Sequence, residues 1–157
     1  MKKFKQFFVE KQVFGLIEFF DLDEVGKIPA KLDSGNGAYN VLHGEDIQIQ
    51  GDKVFFRTEN GKTLLKDKKG EITINVGAGN TEDRPVVEFD FTIGNKQFTN
   101  IPFTLSDRST NLYKILVSKE FIEDELDALI DVSQENIADE DLDAQYWIQL
   151  PLQSETN

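Results

Sequence analysis

The chain has 157 residues, of which 39% are hydrophobic and 29% charged, and it carries a net charge of −12. That length predicts one domain with one sizeable core. The negative charge repels phosphate backbones and argues against nucleic-acid binding. The absence of cysteine removes disulfides, thiolate zinc sites and thiol nucleophiles.

His43 is the only histidine, so neither a Ser-His pair nor a histidine metal cluster can be built away from it. No stretch is long and apolar enough to span a bilayer, and no membrane partner is expected. The N-terminus is basic, but Glu10, Lys11 and Glu18 interrupt any signal-peptide core. The expectation is a cytoplasmic protein.

Residues 1–12 form a basic segment in which Phe4, Phe7 and Phe8 fall at helical spacing. A Phe stripe packed on the core is the simple reading. The stretch also resembles the head-targeting peptides of internal proteins of tailed phages, and Phe8-Val9-Glu10 resembles the sites that prohead proteases cut. Residues 13–20 read as a strand, and residues 21–26 as a turn. Asp21 and Asp23 do not make a calcium loop, because the twelve-position pattern and its closing Glu are missing.

Residues 27–32 are a second strand, which delivers Asp33 to the turn Asp33-Ser34-Gly35-Asn36-Gly37-Ala38. Residues 39–44 and 46–50 follow, the latter alternating Ile47 and Ile49 with polar side chains. Residues 53–57 and 62–65 flank Asn60-Gly61, a hairpin signal because both central turn positions favour positive φ. Residues 71–76 place Ile72, Ile74 and Val76 on one face. Gly77-Ala78-Gly79-Asn80 then reads as a loop; it lacks the Gly-Lys-Ser/Thr ending of a phosphate loop.

Val87, Phe89, Phe91 and Ile93 alternate with Glu88, Asp90 and Thr92, the pattern of a half-buried strand. Gly94-Asn95 turns the chain and residues 97–105 return. Ser118 is placed to cap a helix running to about Ala128, with Ile122, Leu126 and Leu129 on one face. Many short strands with one late helix predict a β-barrel or sandwich. Residues 134–157 form an acidic tail with a late strand, Tyr146-Trp147-Ile148-Gln149-Leu150, and one use of that tail is to recruit a basic partner.

Four pieces, taken in order, resemble one family. They are Ala30-Lys31-Leu32-Asp33-Ser34-Gly35 with Leu42-His43; Arg84-Pro85-Val86-Val87-Glu88-Phe89; Leu105-Ser106-Asp107-Arg108; and Leu116-Val117-Ser118-Lys119-Glu120-Phe121-Ile122 followed by Ile130-Asp131-Val132. Together they resemble the retropepsin-like aspartic proteases of the type labelled ATP-dependent zinc proteases and found beside RimK-type ligases, in a tailed-phage version. The likeness runs from about residue 14 to residue 133. It implies a mainly β, retropepsin-like closed barrel over residues 13–133 with one C-terminal helix.

The resemblance implies an aspartic endopeptidase in which Asp33, Ser34 and Gly35 form the catalytic turn. Two carboxylates held about 3 Å apart cannot both ionise, so they share a proton and divide acid and base roles. One such turn per chain implies a homodimer acting on a peptide or protein substrate, with Ser34 bonded across the dimer and Gly35 allowing close backbone approach. Asn36 and Gly37 of the turn, and Asn60-Gly61 or the 77–80 loop as a flap, would meet substrate. Terminal strands interleave in such dimers, and residues 146–150 could do so here.

Arg84, Arg108 and Ser118 are support positions. The arginines would pair with acids such as Asp107 or Glu88, or bind a substrate carboxylate. Despite the family label, one histidine and no cysteine provide no zinc set, there is no nucleotide loop, and no cofactor is expected. In place of the family's Asp-Thr-Gly-Ala, this chain has Asn36-Gly37 ahead of Ala38. In place of its Leu-Gly-Arg, it has Val117-Ser118-Lys119. Both changes bear on activity more than on fold. The alternative is therefore an inactive barrel serving as a structural or binding protein, with phage head proteins as partners, located in the host cytoplasm or the virion.

Overall fold

The computed structural model describes residues 11–138. The Phe stripe of the N-terminal segment and the strand expected at residues 146–150 lie outside the described residues. Among the described residues eleven strands are formed: β1 (Val13–Leu22), β2 (Gly26–Leu32), β3 (Asn40–His43), β4 (Glu45–Gln50), β5 (Lys53–Arg57), β6 (Thr63–Asp67), β7 (Gly70–Gly77), β8 (Asn80–Ile93), β9 (Lys96–Ser106), β10 (Ile115–Val117) and β11 (Leu129–Glu135).

The main sheet runs β11-β1-β2-β10-β3-β9-β8-β7, and a further pairing of β1 with β8 closes it. The closed ring is therefore β1-β2-β10-β3-β9-β8, a six-stranded barrel, with β11 and β7 attached outside it. Strands β4, β5 and β6 make a separate antiparallel sheet. The fold is mainly β, as the strand patterning predicts. Helix is scarcer than expected. In place of a helix reaching Ala128 there is a six-residue π-helical turn, Phe121–Leu126. It buries Phe121, Ile122 and Leu126, and Asp127 ends it in the left-handed region at φ 48°. Leu129 then joins β11, its N–H bonded to Gln12 O at 3.1 Å.

Alternation along the long strands builds the core. Phe89 and Phe91 of β8 point inward, as do Phe14 and Phe20 of β1 and Phe103 of β9, each at most 1% exposed. Phe20 and Phe91 stack at 4.7 Å, and Phe91 meets Phe103 at 5.7 Å and Phe121 at 5.6 Å. Such ring pairs add directional energy to the area they remove from water. The small sheet covers one side of this core with Val54, Phe56 and Leu64.

One buried charge fixes the end of the described chain. Glu18 is wholly inaccessible, and its carboxylate accepts from the backbone N–H groups of Gly15 at 2.7 Å, Ile137 at 3.2 Å and Ala138 at 3.1 Å. A buried carboxylate persists where hydrogen bonds replace its water. Gly15 makes the approach possible: a Cβ there would lie 2.6 Å from the backbone oxygen of Gln134.

Two substitutions separate these contributions. Phe91→Ala should destabilise the protein by about 3–5 kcal/mol, through lost burial and the cavity left behind. Gly15→Ala should cost about 1–3 kcal/mol as an overpacked contact, and it should raise amide exchange in β11 first. Urea unfolding followed by residue-resolved hydrogen exchange checks both. Uniform loss of protection in the Gly15 variant would contradict a local role.

Candidate functional site

The site grows from the way β10 is inserted. Strand β10 lies between β2 and β3, parallel to the first through Val117 opposite Leu32 and antiparallel to the second through Leu116 opposite Val41. Because β2 and β3 do not touch, the chain between them must pass over the end of β10. That crossing is the loop of residues 33–39, and Asp33 is its first residue.

Backbone bonds hold the crossing in place. Asp33 N–H donates to Val117 O at 3.1 Å, and Asn36 N–H donates to Asp33 O at 2.9 Å. The Asp33 carboxylate turns back on the loop and accepts from Gly35 N–H at 3.0 Å. A Cβ on Gly35 would sit 3.3 Å from that same Oδ1, so glycine lets the amide come close. Gly37 has open space around it and no comparable steric role. Asn36 donates through Nδ2 to Tyr39 O at 3.2 Å, a contact that shapes the loop from within. Ser34 is exposed, and Asp33 is half-buried.

Asn40, which sequence reasoning passed over, ties this loop to the chain after β10. Only 1% of it is exposed, and its Oδ1 accepts from Ser118 N–H at 2.7 Å. Ser118 acts as the expected cap: its Oγ accepts from Phe121 N–H at 3.1 Å, and its carbonyl accepts from Ile122 N–H at 3.1 Å. Lys119 N–H donates back to Asn36 O at 2.9 Å. The only available signal for Asn40 was a polar residue directly before the apolar pair Val41-Leu42. A cavity of about 120 Å³ lies behind the loop, between Ala38, Asn40, Ser118 and Phe121; Asp33 is not part of its wall.

The arginines find partners other than those expected. Arg84 pairs with Glu82, its Nη2 3.1 Å from the carboxylate, and not with Glu88. Arg108 does not pair with Asp107; its Nε donates to Tyr113 O at 2.8 Å. Only 7% of Arg108 is exposed, and its Nη2 has no hydrogen-bond partner among the described residues. Burial, with the like charge of Arg84, pushes the Arg108 guanidinium below its usual range, while the negative charge of Asp33 acts in the opposite sense. Asp33, Arg108 and Arg84 thus share one electrostatic neighbourhood.

The two candidate flaps differ. In the Asn60-Gly61 turn, Asn60 Nδ2 donates to Val25 O at 2.7 Å, which pins the turn to the β1–β2 connection. The β7–β8 hairpin instead ends in Gly77, Ala78 and Gly79, all at positive φ. Its β8 arm carries Glu82, which accepts from Ser106 Oγ at 3.4 Å, and Arg84. Among the described residues no group of histidine and carboxylate side chains is arranged to hold a metal ion.

The Ser118 cap can be weighed directly. Ser118→Ala should cost about 1 kcal/mol of stability, and Ser118→Gly only a few tenths, the ordering expected for loss of an N-terminal cap. Urea unfolding checks it. A larger loss in the glycine variant would mean that the side chain packs and does not cap.

No protein-family model matches the chain, and no curated protein matches it. Among solved structures it is similar to Lpg0085, a protein of unknown function (DUF785) from Legionella pneumophila subsp. pneumophila str. Philadelphia 1. The TM-score is 0.66 at 22% identity, over 82% of this chain and 99% of that one. At that identity the likeness shows a shared fold and nothing about activity.

Proposed function

We propose that the protein is a retropepsin-like aspartic endopeptidase that works as a homodimer, with one Asp33 carboxylate from each subunit. The observation that carries the reading is the anchoring of Asp33. It begins a loop that crosses β10, its backbone is bonded on both sides, and its carboxylate is oriented by Gly35 N–H. A reacting carboxylate needs that kind of preorganisation. The π-helical turn behind the loop, capped by Ser118, stands where the family resemblance implies a helix.

In this mechanism one carboxylate takes a proton from water while the water oxygen bonds to the substrate carbonyl carbon. The partner carboxylic acid gives its proton to the carbonyl oxygen. The tetrahedral diol then collapses: the proton held by the first carboxylate goes to the departing nitrogen, the C–N bond breaks as the C=O bond re-forms, and one hydroxyl proton of the diol returns to the partner carboxylate. Ser34, exposed on the loop, is free to bond across the dimer. The β7–β8 hairpin is the better flap, because the Asn60-Gly61 turn is pinned. The substrate is a peptide or protein, and the site of action is the cytoplasm.

A second reading keeps the barrel without catalysis, as a binding or virion protein. It takes its support from Ser118, a buried side chain where the resembled motif has glycine, and from Asn36-Gly37 standing ahead of Ala38.

Purified protein assayed on a peptide library from about pH 3 to about pH 8 tests the two readings. The protease reading expects cleavage by a dimer seen in sedimentation, and a loss of at least about a thousandfold in Asp33→Asn with unfolding unchanged. A monomer, or a verified dimer that cleaves nothing, would overturn it.

A further inference from the structure

We propose that His43 is a positioning residue: its neutral imidazole latches the loop that carries Arg108, and protonation releases that latch. The catalytic consequence rests on the reading of Asp33 above; the latch itself does not.

His43 ends β3 and is 2% exposed. Its Nδ1 lies 2.8 Å from the backbone nitrogen of Arg108, and that N–H can only donate. Nδ1 must therefore be an acceptor, which assigns the ring proton to Nε2 in the neutral form. Nε2 faces Glu45 Oε1 at 3.2 Å and Glu59 Oε2 at 3.9 Å. The latched loop is braced from its other side. Lys114 Nζ donates to the carbonyls of Arg108 at 2.8 Å, Ser109 at 3.2 Å and Asn111 at 2.6 Å. His43 N–H also holds Lys114 O, at 2.8 Å. His43 thus holds both ends of the loop of residues 107–114, the Arg108 end through its imidazole and the Lys114 end through its backbone N–H, and the Arg108 side chain shares the surroundings of Asp33.

Charged groups from several elements surround the ring. Glu45, Glu59 and Asp107 lie around its two nitrogens, and Lys114 is the cation of the braced loop. Glu45 is held below the usual carboxylate range, chiefly by its hydrogen bond to Arg57. Asp107 is held low by Ser109. Burial pushes Glu59 up, so Glu59 is neutralised first as pH falls, leaving Glu45 and Asp107 ionised. When Nδ1 takes a proton, two donors face each other across the Arg108 contact. Asp107 Oδ1, 3.8 Å from Nδ1, is the acceptor to which the new N–H turns. The Arg108 amide then loses its partner.

A single histidine makes the test free of overlap. Nitrogen-resolved NMR of the intact protein should show the Nε2–H tautomer at high pH. Between about pH 5 and 8, the range in which an imidazole changes charge, protonation should lower the Arg108 amide protection factor at least about tenfold. His43→Asn offers an oxygen near the Nδ1 position and cannot titrate, so its protection should stay high throughout. His43→Phe should lose protection at every pH.

An Nδ1–H tautomer at high pH would overturn the proposal, as would protection that ignores His43 protonation. The same pH-dependent loss in His43→Asn would also overturn it. If the Phe variant does not fold, the wild-type titration and the Asn variant still decide. No readout needs catalysis, so an inert protein would sink the protease reading while leaving the latch standing, and the reverse holds as well.

Discussion

The insertion of β10 between β2 and β3 is the constraint on which the rest depends. Backbone N–H and C=O groups buried in a barrel wall must be paired. Strands β2 and β3 therefore cannot be neighbours once β10 takes up the hydrogen-bonding edges between them. The loop joining them is forced outward over the end of β10. An acid placed first in that loop comes to rest on a scaffold bonded on both flanks, and so needs no support from a flexible surface segment. Asn40 and Ser118 complete the arrangement by tying the far end of the loop to the chain leaving β10.

Barrel closure depends on a different balance. The ring closes through a short pairing, Asp21 with Thr92 and Leu22 with Phe91. So short a seam supplies little hydrogen-bond energy by itself. The aromatic cluster around Phe91 lies directly behind it, and burial of those rings holds the two strands together. Outside the ring, β11 has little apolar surface to bury: Leu129 is 57% exposed and Val132 72%. Its hold on β1 comes from parallel pairing and, at its far end, from the carboxylate of Glu18. The barrel thus uses hydrophobic burial at its seam and a buried charge at its attachment.

The parts of this fold that were legible in the sequence are those where one face meets water. The alternation from Val87 to Ile93 marked β8, and Asn60-Gly61 marked the β5–β6 turn. Strand β10 was missed because Ile115, Leu116 and Val117 are all buried, so no period of two appears in its three residues. Strand β11 was missed for the opposite reason: mostly exposed, it reads like the acidic sequence that follows it. The helix was overextended because Ile122, Leu126 and Leu129 keep helical spacing, and nothing local announces the reversal at Asp127. At the site, Ser118 could be singled out as a cap by residue type and position, and Asp33 only through the family resemblance. Asn40 and the His43–Arg108 contact, separated by 65 residues, could not.

That long-range contact also bears on why a buried arginine is tolerated beside the candidate carboxylate. Removing a guanidinium from water is costly unless its donors are met, and Arg108 has only one side-chain bond among the described residues, to Tyr113 O. Its backbone is constrained from three directions: by the imidazole on its N–H, by Lys114 Nζ on its carbonyl, and by the barrel strand that precedes it. The loop cannot relax to let the side chain reach solvent, so the guanidinium stays where Asp33 is the offsetting negative charge. Asp33 and Arg108 are accordingly coupled through the field they share and not through a direct bond. The anchoring of the loop, more than any pairing of the arginine, holds the guanidinium in that place.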